Sequence, residues 1–136
     1  MNIRNIISRA GLRRDEGFTL IELLVVVVII GVLAGIAIPV YIGIQNSAKD
    51  SAAQSDLATA KTAVVAYYAA KNSMPPTIDS ASLKTWGYTS TTVTDNTSGT
   101  ASIGAFCLKA PGGSSSTWYV TDTVAPTTTK PATGCR

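Results

Sequence analysis

The sequence contains no histidine and only two cysteines among its 136 residues. The missing histidine removes the commonest general base and the commonest metal ligand. Two thiols do not make a zinc site, which takes four ligands. Asp79, Asp95 and Asp122 are scattered along the second half of the chain, and the segment PGGSSS lacks the lysine of a phosphate-binding loop. We therefore expect no enzyme activity, no metal and no cofactor.

Charged residues are also scarce, at 14% of the chain, and the net charge of +3 is unevenly distributed. Four arginines and two acidic residues before Phe18 give +2, whereas the rest of the chain has seven basic and six acidic residues, for +1. Most of the positive charge therefore belongs to the first 17 residues. It is poor evidence for a nucleic-acid partner.

The 22 residues from Leu23 to Ile44 form an apolar run without any charge. As a helix it would be roughly 33 Å long, which matches the hydrocarbon thickness of a bilayer. One alternative is a buried core helix, but so small a domain could hardly cover it on all sides. Another is a secretory signal peptide, whose apolar part would be shorter and followed by a cleavage site. We favour a membrane span.

The arginines before this run give it an orientation. The positive-inside rule places residues 1–17 in the cytoplasm and the polar half of the chain outside. Because that side is oxidising, Cys107 and Cys135 are free to pair, although two unpaired thiols are an alternative. A disulfide would close a loop of roughly 28 residues and stabilise the fold by about 3.5 kcal/mol.

Residues 45–72 have the pattern of an amphipathic helix. Apolar residues recur at steps of three and four, which places them on one helix face: Ala53, Leu57, Ala60, Val64 and Tyr67. No glycine or proline separates this segment from the apolar run, so we predict one helix over 18–72. Pro75 and Pro76 prevent its continuation.

The last part of the chain alternates short β-type stretches with turn residues. We predict strands within 91–95, 102–110 and 116–123, the last two joined as a hairpin through PGGSS. A sheet this small needs a helix to pack against. The expected fold is therefore α+β, with a leader over 1–17, an apolar helix over 18–44, an amphipathic half over 45–72, and a β-sheet head over 73–136.

The segment GFTLIELLVVVVIIGVLAGIAIPVY, Gly17 to Tyr41, resembles the N-terminus of type IV pilins. It combines a basic leader, a glycine, a phenylalanine and a glutamate four residues later inside an apolar helix. Glu16 stands before Gly17 where the commonest pattern has a basic residue. The resemblance implies the pilin fold, cleavage between Gly17 and Phe18 by a membrane aspartyl peptidase, and N-methylation of Phe18 by the same enzyme.

The resemblance also implies partners and a location. The protein would be a single-pass protein of the cytoplasmic membrane before assembly, and would then join other copies of itself in an extracellular helical filament through a pilus assembly platform. We expect a type IVa-like major pilin. The alternative is a pseudopilin of a type II secretion or DNA-uptake system. Many secretion pseudopilins have a calcium-binding acidic loop and no terminal cysteine pair, so Cys107 and Cys135 favour the pilus.

Four residues of the apolar helix are predicted to serve assembly. Glu22 would pair with the N-terminal amine of a neighbouring subunit, unless it only extends to the membrane surface. Gly31 and Gly35 permit close helix approach, although such glycines are also ordinary in membrane helices. Together with Pro39 they cost roughly 5 kcal/mol of helix propensity relative to alanine, so we predict that 31–39 loosens in the filament.

Two further features are given structural interpretations. The aromatic residues of the second half are predicted to be core and interface anchors, among them Tyr67, Trp86, Tyr88 and Trp118. The triplet NTS at 96–98 matches a glycosylation acceptor, but we interpret it as part of a solvated loop.

Overall fold

The computed structural model describes residues 17–136. The arginines on which the predicted orientation depends, and all of the predicted leader except Gly17, lie outside the described residues. The chain divides into two units, one ending at Ile38 and the other running from Pro39 to Arg136.

One long helix, α1, accounts for most of the first half. It covers Leu20–Lys71, where the sequence predicts a helix over 18–72. Every side chain from Phe18 to Ile44 is exposed, and the buried positions begin further along. Four residues of the predicted stripe are buried, Tyr67 is half-buried, and the structure adds Ala63. The apolar run and the amphipathic stripe therefore belong to one helix with two different surroundings.

The polar half contains the predicted sheet. A short helix α2, Ser80–Leu83, and a 3-10 turn, Lys84–Trp86, precede three antiparallel strands in the order β1–β2–β3. These strands are Thr94–Asp95, Cys107–Pro111 and Thr117–Thr121. The α+β prediction is confirmed.

The sheet covers the amphipathic part of α1 with one face. Leu108, Ala110 and Val120 are buried and belong to one apolar cluster with Leu57 and Val64 of the helix. Tyr88 is also fully buried, as expected of an aromatic anchor. Since burying one such aliphatic side chain contributes about 1.5–3 kcal/mol, this cluster is the main source of stability for the sheet.

The C-terminal segment is fastened to the sheet. Cys135 forms a disulfide with Cys107 of β2, with the two Cα atoms 5.2 Å apart. On either side of Cys135, the Ser98 amide donates to the Gly134 carbonyl at 3.0 Å, and the Arg136 amide donates to the Asn96 carbonyl at 2.8 Å. The segment is thus held by backbone pairing as well as by the disulfide.

The interpretation of the NTS triplet as a solvated loop is wrong. Asn96 is 8% exposed and Thr97 is 1% exposed. The Asn96 side-chain amide donates to the Arg136 carbonyl at 3.2 Å, and the Thr97 hydroxyl accepts from the Cys107 amide at 3.0 Å. Because the polar atoms of both side chains have partners in the chain, they can be buried at little cost. In the folded protein the Asn96 amide is occupied.

Asp50 of α1 ties the β2–β3 connection to the helix. One oxygen of its carboxylate, Oδ1, accepts from the Trp118 indole at 2.8 Å, the Gly113 amide at 2.9 Å and the Ser116 hydroxyl at 2.8 Å. These donors, the indole foremost, lower the pKa of Asp50. One helix side chain therefore fixes where the hairpin turn lies.

The two glycines of that turn are required by its closeness to α1. A Cβ atom added to Gly113 would lie 2.3 Å from the Asn46 carbonyl oxygen, and one added to Gly112 would lie 2.3 Å from Asp50 Oδ1. Both contacts are much shorter than van der Waals distances. The pair of glycines in PGGSS thus allows the hairpin turn to dock on the helix.

A second helix carboxylate, that of Asp56, holds the segment before β1. The hydroxyls of Ser90 and Thr92 both donate to its Oδ2 atom. Nearby, the buried Tyr88 hydroxyl accepts from the Val93 amide at 3.1 Å, and burial raises the pKa of Tyr88. Asp50 and Asp56 therefore anchor two different connections of the head to one helix.

Acid should selectively remove the contribution of Asp50. A carboxyl group whose pKa is lowered by folding stabilises the protein above its unfolded pKa of about 3.9, and this contribution is lost as the pH falls through the folded value. The melting temperature of Asp50→Asn should therefore lie below that of the wild type at pH 7, and the gap should shrink between about pH 4 and pH 2. The measurement is thermal unfolding of the full chain in detergent micelles, with Asp122→Asn as the charge-matched control. A gap that stays constant with pH would contradict the role of Asp50.

Gly113→Ala should destabilise the protein because the new methyl group meets the helix backbone at Asn46. The expected loss in free energy of unfolding is about 1–3 kcal/mol, typical of overpacking. Gly104→Ala is the matched control, since nothing lies within 4 Å of a Cβ at that position. Denaturant unfolding monitored by tryptophan fluorescence would compare the two, and equal stabilities would contradict the tight docking of the turn.

Candidate assembly site

The start of α1 is built by Thr19 and Glu22. The Thr19 carbonyl accepts the Leu23 amide at 3.3 Å, which makes Thr19 the residue that caps the helix. The Thr19 amide and hydroxyl donate to Glu22 Oε2 at 2.9 and 2.7 Å, and the Glu22 amide donates back to the Thr19 hydroxyl at 3.3 Å. This reciprocal arrangement is a capping box.

The capping box fixes the Glu22 carboxylate at the N-terminal end of the helix, where the helix dipole favours negative charge. Both bonds from Thr19 end on Oε2, so the cap does not use Oε1. The carboxylate is surrounded by exposed apolar side chains, including those of Phe18 and Val25. A cation that approaches this end of the helix would therefore meet an oriented carboxylate in otherwise apolar surroundings.

Sequence reasoning identified Glu22 but missed Thr19. The signal was present, because T-L-I-E is the S/T-x-x-E pattern of a capping box. The interpretation of this segment as lipid-facing singled out the charge of Glu22 and gave no role to the Thr19 hydroxyl. The structure therefore adds Thr19 as a positioning residue for the predicted assembly glutamate.

The remaining predicted residues occupy different places. Gly17 and Phe18 lie immediately before the capping box, outside the helix. Gly31, Gly35 and Pro39 all lie within the continuous helix Leu20–Lys71, and a Cβ added to either glycine would meet nothing within 4 Å. Gly31 and Gly35 are one helical turn apart and so share an exposed face. Cys107 and Cys135 form the disulfide in the head.

The helix also has the length and composition of a membrane span, and its most apolar window has no buried residues. Within residues 17–136, no three histidine, cysteine, aspartate or glutamate side chains are grouped so that they could hold a metal ion. Within the described residues, the site therefore offers one carboxylate, that of Glu22, on an exposed apolar helix.

Comparison with known proteins gives matches in the N-terminal half. Residues 12–38 match a family described as the prokaryotic N-terminal methylation motif. The chain is 48% identical over 59 residues to the type IV major pilin protein PilA of Myxococcus xanthus, which covers 43% of this chain and 27% of the relative. It is 46% identical over 50 residues to a type IV major alpha-pilin of Moraxella bovis, covering 37% and 31%.

A second kind of relative is a secretion protein. The type II secretion system core protein G of Aeromonas hydrophila is 38% identical over 65 residues, which covers 48% of this chain and 46% of the relative. The chain thus spans less than half the length of each of these three relatives. No solved structure gives a significant match.

A methylation motif, a long apolar-to-amphipathic helix and a small antiparallel sheet define the pilin class of proteins. Residues 12–38 of this chain carry that methylation motif, and its N-terminal half is similar to type IV pilins and to a type II secretion core protein.

Removing the Thr19 hydroxyl should loosen the start of α1. Thr19→Val keeps the shape of the side chain and the backbone bond to Glu22 Oε2, but it loses the hydroxyl's bond to the carboxylate and its bond from the Glu22 amide. Loss of an N-cap costs about 1 kcal/mol. Backbone amides near Leu23 should then exchange several-fold faster in micelles. Thr19→Ser, which keeps the hydroxyl, is the control and should behave as the wild type. Equal exchange in all three chains would mean that the capping box does not stabilise this end.

Proposed function

We propose that the protein is the structural subunit of a type IV pilus, without enzyme activity of its own. A peptidase cleaves between Gly17 and Phe18 and N-methylates Phe18. The subunit then leaves the membrane, where its N-terminus faced the cytoplasm, and joins an extracellular filament through α1. The observation that carries this proposal is the oriented Glu22 carboxylate at the capped end of an exposed apolar helix.

The role of Glu22 follows from the cost of its charge. An ionised carboxylate among apolar side chains in lipid or in a fibre core costs several kcal/mol unless an opposite charge compensates it. Cleavage after Gly17 supplies such a charge by creating an amine on Phe18. The Glu22 of one subunit captures the amine of the next and thereby fixes their register.

Processing leaves the capping box intact. The Thr19 amide that donates to Glu22 belongs to the peptide bond between Phe18 and Thr19, which lies after the cleavage point. The carboxylate therefore keeps its orientation through Oε2 while Oε1 accepts the incoming amine. Gly31 and Gly35 leave room on an exposed helix face for a neighbouring helix.

A pseudopilin of a secretion or DNA-uptake system is the second candidate function. The similarity to the Aeromonas hydrophila core protein G supports it, because that alignment covers a larger share of the relative than either pilin alignment reported above. The disulfide between Cys107 and Cys135 supports the pilus. The two candidates share the helix and its processing and differ in what the head does.

Replacement of Glu22 tests the register mechanism. Glu22→Ala and Glu22→Gln should both insert in the membrane at native levels but yield at least ten-fold fewer filaments, since neither can balance an amine. Glu22→Asp keeps the charge and should retain part of the assembly. Filaments sheared from cells would be counted by electron microscopy. Native filament numbers in Glu22→Ala would overturn the mechanism.

The sheared material also distinguishes the candidate functions. A pilus subunit should be released in long filaments, and mass spectrometry should find a mature chain that begins with N-methylated Phe18. Adding calcium or a chelator should leave its melting temperature unchanged. A head that melts several degrees higher with calcium, in a protein never released as filaments, would favour the pseudopilin.

A further inference from the structure

The outer face of the sheet carries a row of polar side chains. Residues directly opposite each other in an antiparallel pair project from the same face. Thr94 is opposite Lys109, Lys109 is opposite Tyr119, and Tyr119 pairs in turn with Thr127. The row therefore crosses three strand spacings, roughly 14 Å, on the face turned away from α1.

The chain covers only one end of this face. Cys107 and Thr121, which are paired across β2 and β3, are buried at the end where the disulfide to Cys135 crosses. At the other end Lys109 and Tyr119 are half-buried and Pro111 is exposed. The outer face is thus more exposed at this end, which we call the open end.

A hollow of about 360 Å³ lies over the open end. It is lined by one ammonium group, one phenol ring and several hydroxyls, contributed by Lys109, Tyr119, Thr92, Thr94 and Thr117. None of the residues that line it is acidic. We call this hollow the outer-face groove.

A second hollow of about 300 Å³ adjoins the outer-face groove, because Thr92 and Pro111 line both. It adds another cation, Lys49, and one carboxylate, Asp56. That carboxylate already accepts hydrogen bonds from the Ser90 and Thr92 hydroxyls. The two hollows together form a longer surface with an ammonium in each.

We propose that the outer-face groove binds an acidic polysaccharide. The ring of Tyr119 offers an apolar surface to a sugar ring, and the threonine hydroxyls can exchange hydrogen bonds with sugar hydroxyls. Lys109 pairs with a carboxylate of the sugar. Lys49, in the adjoining hollow, supplies a second ammonium group for another acidic unit of the same polysaccharide.

The composition of the groove separates this ligand from other classes. Nucleic-acid binding depends on many lysine and arginine contacts to phosphates, whereas this groove contains one lysine among hydroxyls. The described chain also lacks a large positive excess, since Phe18 to Arg136 carries a net charge of +1. Protein interfaces centre on buried aromatic and arginine anchors, and here the single aromatic ring lies between a lysine and threonines.

Binding can be measured on the unassembled, full-length chain in detergent micelles, so the result does not depend on whether filaments form. The probes are polyuronate oligosaccharides, neutral dextran oligosaccharides and a DNA duplex of 20 base pairs, each titrated by calorimetry. We expect the polyuronate to bind, dextran to bind at least ten-fold more weakly, and added salt to weaken polyuronate binding.

Lys109→Gln and Tyr119→Ala should each weaken polyuronate binding at least five-fold. Lys84→Gln is the matched control, because it removes the same charge from an exposed lysine in the turn Lys84–Trp86, outside the groove. It should change binding less than two-fold. Unchanged melting temperatures and an intact disulfide would establish that each variant is folded. If Tyr119→Ala is not folded, Tyr119→Leu, which also removes the aromatic ring, replaces it.

Three results would overturn the proposal. One is the absence of polyuronate binding by the folded wild type. Another is an equal loss of polyuronate affinity in Lys84→Gln and Lys109→Gln. That result would mean that binding depends on the overall charge of the protein and not on the groove. The third is binding of DNA or dextran as tightly as of polyuronate, which would assign the groove to a different ligand class.

Discussion

Contact between the amphipathic half of α1 and the three-stranded sheet is the interaction on which the head depends. The sheet has one strand of two residues and two of five, which is too little to be stable alone. Its inner face gains stability by burying Leu108 and Val120 against Leu57 and Val64. The same helix supplies Asp50, which holds the connection between β2 and β3, and Asp56, which holds the segment before β1. The amphipathic half of α1 therefore both positions the head and stabilises it.

The helix has two different patterns of apolar side chains along its length. Up to Ile44 its apolar side chains cover all faces and are exposed, as a lipid-embedded rod requires. From Ala53 onward the buried residues are confined to a stripe, since the head covers only one side. The single carboxylate in the first part, Glu22, is held at the helix end, where backbone and hydroxyl donors are available.

The sequence predicted features that depend on local pattern. The stripe at Leu57 and Val64, the hairpin through PGGSS and the α+β class follow from periodicity and turn chemistry, and all are present. What was missed depends on contacts distant in the chain. Asn96 is buried because it meets Arg136, forty residues later, and Asp50 bonds to residues more than sixty positions away. A short segment of the sequence never contains both partners of such a contact, so local patterns cannot reveal it.

The candidate site follows this division only in part. Glu22 was found because it is the one charge in an apolar segment, and that contrast is visible in the sequence alone. The exchange of hydrogen bonds between Glu22 and Thr19 was missed, although both residues lie within four positions. The outer-face groove was invisible for a different reason, since Thr94, Lys109 and Tyr119 become neighbours only through strand register.

The two ends of the connection between β1 and β2, Asn96 and Cys107, are held together. The Asn96 amide donates to the Cys107 carbonyl at 2.8 Å, and the disulfide and the C-terminal segment fasten the same two positions. The residues between them form a loop whose ends are fixed independently of its contents. Lengthening such a loop adds little entropic cost, since each doubling costs about 0.6 kcal/mol. Gly99 and Thr100 are exposed at the tip of this loop, whereas Ala101 and Ile103 pack against the core. The tip is therefore where related chains can diverge, or accept an inserted peptide tag, while the scaffold beneath stays unaltered.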